Sequence, residues 1–347
     1  MRSDTVTMPT QAMRRAMSLA EVGDDVFGED PTVLQLEKLG AKLTGKEACV
    51  FVSTGTQGNL ASLMAHCDRR GCEIIVGDKQ HIYLHEQGGT ATLAGIHSRV
   101  LRNNDDGTMD VDEIERAIRP CDWIDADDAH YPRTAVVAIE NTHNMCGGVP
   151  ISLNYMSKLK ERIKGRKVKF HLDGARAGNA AVALGVSLKE LCNDVDSISL
   201  CLSKGLGAPV GTLVAGDENF ALRVRRAKKA LGGGWRQAGV LAAAGIIAME
   251  TMQETLSRDH KLAAMFAENI KNVSGVKFSR MPQTNLVFFE VSTMSLDKFA
   301  AKAEEKGLLI NYGYGKEGKA VRAAIHRDLS VEDVEMAASI IKDILMS

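Results

Sequence analysis

Short apolar runs of strand length alternate with helical patterns over most of the chain. The runs that predict strands cover residues 48–53, 73–76, 98–101, 135–139, 168–172 and 197–202. Helices are predicted between them, for example over 59–67, 111–118 and 152–163, the last with Ser152 as N-cap. Continuous apolar strands separated by helices indicate a mainly parallel sheet that is covered on both faces. We therefore predict an α/β fold with a ligand site at the carboxyl ends of the strands.

The pattern changes after the glycine triplet at 232–234. Helices are predicted over 237–256 and 258–272, followed by strands over 286–291, 308–312 and 321–325. Ser330 and Asp333 then form a predicted cap for a last helix. This pattern is typical of a smaller α+β unit. We predict an N-terminal segment (1–20), a large domain (21–250) and a small C-terminal domain (251–347).

Composition and charge exclude several classes of function. The chain has 347 residues and a net charge of −1, so nothing favours binding to nucleic acid or to a membrane surface. The longest apolar run, 240–249, is too short to span a bilayer, and no signal peptide is predicted. The seven cysteines are odd in number and irregularly spaced, which indicates a reducing compartment. We expect a cytoplasmic protein.

A lysine and an aspartate follow two of the predicted strands. Asp173 ends the run His171-Leu172-Asp173, and Lys204 opens a glycine-rich loop after the strand at 197–202. Taken alone, the aspartate is a turn residue and the lysine a surface residue. Together at the carboxyl edge of one sheet they suggest a pyridoxal phosphate site. Lys204 would form the Schiff base, and Asp173 would keep the pyridine nitrogen protonated.

The segment Thr54-Gly55-Thr56 lies between a predicted strand and a helix. It is either a plain N-cap or a phosphate cup, because amides and hydroxyls at a helix N-terminus favour a dianion. His81 and His85 have the i, i+4 spacing of one helix face. This pair is weak evidence for a metal, and no metal is predicted. In the cofactor interpretation, His81 stacks on the ring and His85 faces the substrate.

Three arginines stand in unusual contexts: Arg176, Arg236 and Arg322. Each could be an ordinary surface charge. Arginine is also the natural partner of carboxylate and phosphate groups, through paired hydrogen bonds. An amino-acid substrate would require one or two such groups.

Six segments together resemble the low-specificity L-threonine aldolases. They are RSDTVT (2–7), VGDDVFGEDP (22–31), IENTHN (139–144), HLDGAR (171–176), CLSKGLGAPVG (201–211) and GGGWRQAG (232–239). The likeness is strong through residue 256 and looser beyond it. It implies the fold of the pyridoxal-phosphate-dependent transferases (fold type I). It also implies a homodimer or homotetramer with its active site between subunits.

The resemblance also implies a role for each matching residue. Lys204 and Asp173 are expected to hold the cofactor, with His81 stacked on its ring. The phosphate is expected to bind Thr54, Gly55 and Thr56, together with Arg236 reaching from a neighbouring subunit. The substrate carboxylate is expected to bind Ser3, Arg176 and Arg322. His130 resembles a histidine near the substrate hydroxyl.

Two positions depart from the family pattern. Phe27 stands where tyrosine is frequent, and His85 occupies a position that is often aromatic. His85 lies near the β-substituent, so the choice between threonine and allo-threonine is left open. The acidic stretch 121–129 is predicted to be a surface loop.

The predicted reaction is retro-aldol cleavage of L-threonine or L-allo-threonine to glycine and acetaldehyde. His85 and His130 are the candidate bases for the hydroxyl proton, since imidazole titrates near neutral pH. A pyridoxal-phosphate β-eliminating lyase or decarboxylase is the alternative enzyme. A non-catalytic cofactor-binding protein of this fold is the alternative outside enzymes.

Overall fold

The computed structural model describes residues 1–119 and 130–346. Seven strands form the large sheet: β1 Ala48–Val52, β2 Cys72–Gly77, β3 His97–Leu101, β4 Arg133–Glu140, β5 Lys169–Asp173, β6 Ser197–Cys201 and β7 Thr212–Gly216. A second sheet contains β8 Val276–Lys277, β9 Leu286–Val291, β10 Asn311–Tyr314 and β11 Ala320–Ala324. The predicted loop at 121–129 lies outside the described residues.

Helices cover both faces of the large sheet and one face of the small sheet. In chain order the first eight are α1 Gln11–Ser18, α2 Pro31–Thr44, α3 Gly55–His66, α4 His81–Leu84, α5 Gly89–Thr92, α6 Val111–Ala117, α7 Leu153–Ile163 and α8 Ala177–Leu184. The others are α9 Leu188–Leu191, α10 Glu218–Ala230, α11 Gly239–Glu250, α12 Met252–Ile270, α13 Leu296–Glu305 and α14 Val331–Met346. Short 3-10 helices cover Asp4–Val6 and Lys316–Gly318.

The order of strands in the large sheet is β1-β7-β6-β5-β4-β2-β3. Strands β6, β5, β4, β2 and β3 are mutually parallel, whereas β7 is antiparallel to both of its neighbours. The prediction of a mainly parallel sheet is therefore confirmed. Strand β7 was missed. Because it reverses direction between β1 and β6, the carboxyl ends of these two strands lie at the same edge as those of β2, β4 and β5.

Separate hydrophobic cores support the two sheets. The large core packs around buried residues such as Phe51 and Phe170. The small core is built on Phe266, Phe289 and Phe299, whose rings meet edge to face with centroids 6.3–6.4 Å apart. The division of the chain at residue 251 stays a prediction.

Two predicted elements are wrong in extent. The predicted helices 237–256 and 258–272 correspond to α11 and α12, but the break between them lies at Thr251, because α11 ends at Glu250 and α12 runs from Met252 to Ile270. Alanine-rich and amphipathic patterns follow each other there without a proline or glycine to mark the break. The predicted strand 308–312 is displaced to Asn311–Tyr314, since Leu308 and Ile310 bury their side chains before the strand pairs with β11.

Two predicted caps are confirmed. Ser152 Oγ accepts a hydrogen bond from Tyr155 N at the start of α7. Ser330 and Asp333 bond reciprocally at the start of α14, over 2.8 and 3.1 Å. In the described part of the chain, no helix is long and apolar enough to cross a membrane.

Candidate active site

Polar residues gather where five strands of the large sheet end. Glu140 and Asp173 are the last residues of β4 and β5. Thr54 follows β1, His81 follows β2, and Lys204 follows β6 by three residues. Because these carboxyl ends share one edge, residues far apart in sequence meet in a single site.

Asp173 is 2% exposed and accepts hydrogen bonds from Asn59 Nδ2 at 3.0 Å and from the amide of Ala175 at 3.1 Å. Burial, with Glu140 and Glu86 close by, raises the pKa of Asp173 to about 6. His81 and Lys204 oppose this rise. The carboxylate is therefore held in a low-dielectric place where a nearby positive charge would be strongly favoured.

The loop that carries Lys204 is fixed by its backbone. The carbonyl of Lys204 accepts hydrogen bonds from Thr7 Oγ1 at 2.7 Å and from Gly207 N at 2.9 Å. The positive charge of Lys204 contributes to the lowered pKa of Asp4 and offsets part of the rise in the pKa of Asp173. The lysine side chain thus lies within electrostatic range of both aspartates.

His81 begins the short helix α4 and is half-buried. Its Nδ1 lies 2.9 Å from Glu86 Oε1, and its backbone amide donates to Glu140 Oε2 at 2.8 Å. The hydrogen bond to Glu86 is the main reason that the pKa of His81 is raised. The ring of His85 lies 5.5 Å from that of His81 and is exposed. Both predicted histidines therefore reach the site.

Asn59, on the buried side of α3, links two carboxylates. Its Nδ2 donates to Asp173 at 3.0 Å and to Glu86 at 2.9 Å. Since carboxylates only accept, the amide oxygen must point away from them, and it accepts from His171 Nε2 at 3.3 Å. Asn59 thereby presents its nitrogen to both carboxylates at once.

A buried chain of hydrogen bonds fixes that orientation from behind. Burial lowers the pKa of His171 to about 3, so its ring is neutral. With Nε2 donating to Asn59, His171 Nδ1 accepts from Ser197 Oγ at 2.8 Å. Ser197 Oγ in turn lies 2.7 Å from His66 Nε2. Only one assignment of donors and acceptors satisfies the whole series: His66 donates to Ser197, Ser197 to His171, and His171 to Asn59.

The N-terminus of α3 has the features of the predicted phosphate cup. Thr54 Oγ1 accepts from Gln57 N at 3.1 Å and so caps the helix. Gly55 and Thr56 lie in the first turn, where amide groups have no carbonyl partner within a helix. The N-cap and the anion-site interpretations are therefore compatible.

Arg236 lies near this helix end but makes a contact of its own. Its Nη1 donates to Asp24 Oδ2 at 3.0 Å, and its side chain is largely exposed. Gly233, three residues before Arg236, packs against the side chain of Gln57 in the first turn of α3. The predicted reach of Arg236 into a neighbouring subunit stays a prediction.

Arg176 pairs with an acidic residue that the sequence did not single out. Its Nε and Nη2 donate to the two carboxylate oxygens of Asp4 at 2.7 and 2.8 Å, and both residues are buried. Burial alone would raise the pKa of Asp4, but Arg176 holds it below its usual range. Two of the three guanidinium nitrogens are thus committed, and the predicted role of Arg176 at a substrate carboxylate stays a prediction.

Arg322 is buried, and no carboxylate in the described ranges 1–119 and 130–346 hydrogen-bonds to it. Its Nη1 donates to Asn144 Oδ1 at 2.7 Å and its Nη2 to the carbonyl of Arg2 at 3.0 Å. The Nε atom is buried and has no hydrogen-bond partner among the described residues. Ser3 follows Arg2, and its Oγ caps the adjoining 3-10 helix. Arg322 therefore carries a positive charge that a bound carboxylate would neutralise.

His130 is not at this edge of the sheet. It precedes β4, whose eight residues span about 25 Å before they reach Glu140. The neighbouring Tyr131 ring lies 4.6 Å from the guanidinium of Arg119, which pairs with Glu73 near the start of β2. Within one chain, His130 is therefore not beside Lys204. The predicted contact between His130 and the substrate hydroxyl would require His130 to reach the active site of a second copy of the chain.

The described residues suit pyridoxal phosphate better than a metal ion. Ligand atoms of His81, Glu86 and Asp173 do lie within 4.8 Å of one another. However, Asn59 and His81 already hydrogen-bond to Glu86, and Asn59 also bonds to Asp173. A carboxylate for a ring nitrogen, a lysine, an open helix end and an unpaired arginine nitrogen match the parts of the cofactor and its amino-acid substrate.

Four residues of the site were not predicted from the sequence: Asp4, Asn59, Glu86 and Glu140. One signal was available for Asn59, which is a large polar residue among the mostly small or apolar buried residues of α3. The carboxylates gave no comparable signal, since acidic residues after strands are common at turns.

The chain was compared with known proteins. The family described as beta-eliminating lyase matches residues 1–294. Low-specificity L-threonine aldolase 1 of Arabidopsis thaliana is 42% identical, and the match covers 100% of this chain and 96% of that protein. The low specificity L-threonine aldolase of Escherichia coli is 41% identical, over 98% of this chain and 97% of that protein.

Solved structures show the same fold. The threonine aldolase of Leishmania major superposes with a TM-score of 0.83 at 17% sequence identity, over 99% of this chain and 98% of that one. At this level of identity the likeness establishes the fold alone, and it agrees with the fold type I prediction.

Proposed function

The chain belongs to the beta-eliminating lyase family and, within it, to the low-specificity L-threonine aldolases, and we propose that it cleaves L-threonine or L-allo-threonine to glycine and acetaldehyde. The observation that carries this proposal is the proximity of Lys204 to Asp173 at one edge of the sheet, with Lys204 and Arg322 both acting on Asp4. No carboxylate hydrogen-bonds to Arg322 among the described residues. The cofactor would be pyridoxal 5′-phosphate, and Lys204 would hold it.

When bound, the cofactor supplies an electron sink for the pair of electrons left as a bond to Cα breaks. The protein supports that role with Asp173, whose buried carboxylate favours a proton on the ring nitrogen. Asn59 holds this carboxylate in place, and the α3 N-terminus with Thr54, Gly55 and Thr56 would hold the phosphate.

Arg322 is best placed to bind the substrate carboxylate. It lies in the interior, its Nε has no partner in the described structure, and its two other nitrogens are fixed by Asn144 and Arg2. The N-terminal segment connects Ser3 and Arg176 to Arg322. Ser3 lies between Arg2, whose carbonyl binds Arg322, and Asp4, whose carboxylate binds Arg176. Binding the carboxylate fixes the rotation about Cα, so the bond to Cβ stands in the orientation that breaks most readily.

The base that takes the hydroxyl proton is assigned to His85. Its ring is exposed and lies 5.5 Å from the ring of His81. His81 is engaged with Glu86, which suits a fixed ring better than a mobile proton carrier. His130 is the weaker candidate because one chain keeps it at the opposite edge of the sheet.

A β-eliminating lyase on the same site is the alternative, and the products separate the two reactions. An aldolase gives glycine and an aldehyde from threonine, whereas β-elimination gives a keto acid and ammonia.

We propose further that the protein is a cytoplasmic homo-oligomer, dimer or tetramer, in which Arg236 contributes to a neighbouring site. Sedimentation of the purified protein tests its oligomeric state.

The deciding experiment replaces Lys204 by alanine. We expect Lys204→Ala to lose glycine formation from L-threonine and L-allo-threonine, together with the visible absorption of the protein-bound cofactor. Lys42→Ala, an exposed lysine on α2, is the matched control and should retain both. Unchanged glycine formation by Lys204→Ala would refute the proposal.

A further inference from the structure

Cys67 and Cys72 belong to one buried cluster near the amino edge of the large sheet. Cys67 is the C-cap of α3, and Cys72 is the first residue of β2. They are joined by the short turn 68–71, in which Gly71 has a φ of 77°. The two thiols are close enough for each to shift the pKa of the other. Because α3 has its N-terminus at the candidate active site, the pair lies about 18 Å from that site along the helix.

The sulfur of Cys72 accepts a hydrogen bond from a guanidinium group. Arg133 stands opposite Cys72 in the register of β2 and β4, and its Nη2 donates to Cys72 Sγ at 3.3 Å. The backbone amide of Arg69 in the turn also lowers the pKa of Cys72. These groups favour a thiolate at Cys72 and leave Cys67 as the protonated thiol.

The ionisation of the two thiols agrees with the geometry. The neighbouring Cys67 thiol is the largest cause that lowers the pKa of Cys72, and Arg133 adds to it. The proximity of Cys72, with burial, raises the pKa of Cys67 well above its usual range. By contrast, burial raises the pKa of Cys146 and of Cys192 to about 12.

We propose that Cys67 and Cys72 form a peroxide-reactive dithiol site that closes to an intramolecular disulfide. This site goes beyond the aldolase function and does not depend on it. The two residues are 8% and 1% exposed, but residues 68–70, which cover them, are exposed, so a molecule as small as hydrogen peroxide needs to cross only one turn of chain.

The chemistry takes two balanced steps. The Cys72 thiolate attacks one oxygen of hydrogen peroxide, the O–O bond breaks, and hydroxide leaves, so Cys72 becomes a sulfenic acid. The Cys67 sulfur then attacks the Cys72 sulfur, the S–S bond forms, and the S–O bond breaks. The hydroxyl group leaves with the Cys67 proton as water. The two sulfurs are oxidised by two electrons in all, and the peroxide is reduced.

The experiment oxidises the holoenzyme with hydrogen peroxide at pH 7, blocks the remaining thiols with iodoacetamide and digests the protein with trypsin without reduction. Trypsin cuts after Arg69 and Arg70, between the two cysteines. We expect a linked pair of peptides, residues 47–69 joined through Cys67 to the peptide that begins at Gly71. Its mass should be about 2 Da below the sum of the two peptides with Cys49 labelled by iodoacetamide. Cys192→Ser is the control and should give the same linked pair.

Single variants test each sulfur's part. In Cys67→Ser, oxidation should stop at a Cys72 sulfenic acid that dimedone traps, whereas Cys72→Ser should leave Cys67 unoxidised at the same dose. In the wild type, Cys72 should react with iodoacetamide at pH 7 at least about tenfold faster than Cys192. Equal rates for these two cysteines, or the absence of the linked pair after peroxide, would overturn the proposal.

Discussion

Asn59 donates one amide hydrogen to Asp173 at 3.0 Å and the other to Glu86 at 2.9 Å. One neutral side chain thus separates and orients two buried carboxylates, one beside the expected ring nitrogen and one beside His81. The ring of His171 is neutral, because burial lowers its pKa to about 3. The amide of Asn59 is therefore held in a single orientation by groups that do not touch the substrate.

Replacing Asn59 by aspartate should weaken cofactor binding. The variant places a third carboxylate against Asp173 and Glu86 and removes two hydrogen bonds, a loss of about 1–3 kcal/mol. We expect the dissociation constant of pyridoxal phosphate to rise roughly 5- to 150-fold, measured by titrating the apo-protein. Asn104→Asp, at an exposed asparagine, is the control for the added charge and should bind normally.

The two buried arginines should fail in different ways. Arg322 has no carboxylate partner among the described residues, so Arg322→Gln should raise KM for threonine by about tenfold or more while the folded state persists. Steady-state kinetics with a urea titration on the same samples separate affinity from folding. An unchanged KM would remove Arg322 from the substrate site.

Arg176→Gln should instead destabilise the protein. It leaves the Asp4 carboxylate buried and unpaired, which typically costs about 3–5 kcal/mol. We expect a lower urea midpoint, and the double variant Arg176→Gln with Asp4→Asn should recover part of it. If the single variant unfolds like the wild type, the Asp4–Arg176 pair does not support the fold.

Thr54 should contribute to both stability and phosphate binding. Thr54→Ala removes the N-cap of α3, at a cost of about 1 kcal/mol, and a hydroxyl from the proposed phosphate site. Thr10→Ala removes an equivalent cap, on α1, remote from the phosphate. Both variants should lower the thermal midpoint, but only Thr54→Ala should weaken cofactor affinity, and Thr54→Ser should restore it.

Asp259 should make stability depend on pH. Its carboxylate is buried with no hydrogen-bond partner in the described structure, and burial raises its pKa from 3.8 to about 7. Between these values the folded state holds a proton that the unfolded state has lost, so this group makes stability fall as pH rises. Above pH 7 both states are ionised and the contribution is constant.

Asp259→Asn removes that contribution. We expect the variant to gain stability relative to the wild type as pH rises from 5 towards about 7, by at most about 1.4 kcal/mol per pH unit. Urea unfolding at pH 5, 6, 7 and 8 measures the difference, with Asp343→Asn as an exposed control. A difference that does not vary with pH would show that Asp259 is ionised throughout.

Much of the architecture followed from the residue pattern, because short apolar runs that alternate with helical patterns are typical of strands buried on both faces. The exception, β7, is as apolar as its neighbours, and nothing in its sequence marks the reversed direction. Direction depends on the length and path of the connection after Lys204, which is a tertiary property. The break between α11 and α12 at Thr251 was likewise set by packing, since no helix-breaking residue marks it.

The sequence by itself determined the family and the expected chemistry. The roles of Lys204, Asp173 and the Thr54 segment could be predicted because each follows a strand and because the motifs match a family. Only the tertiary structure decided the partners: Asn59 between two carboxylates, Asp4 against Arg176, and His130 at the far edge of the sheet. The physical reason is that motif and strand order specify which groups reach an edge. Burial and hydrogen-bond geometry, which depend on the whole fold, then fix which of those groups meet and in which charge state.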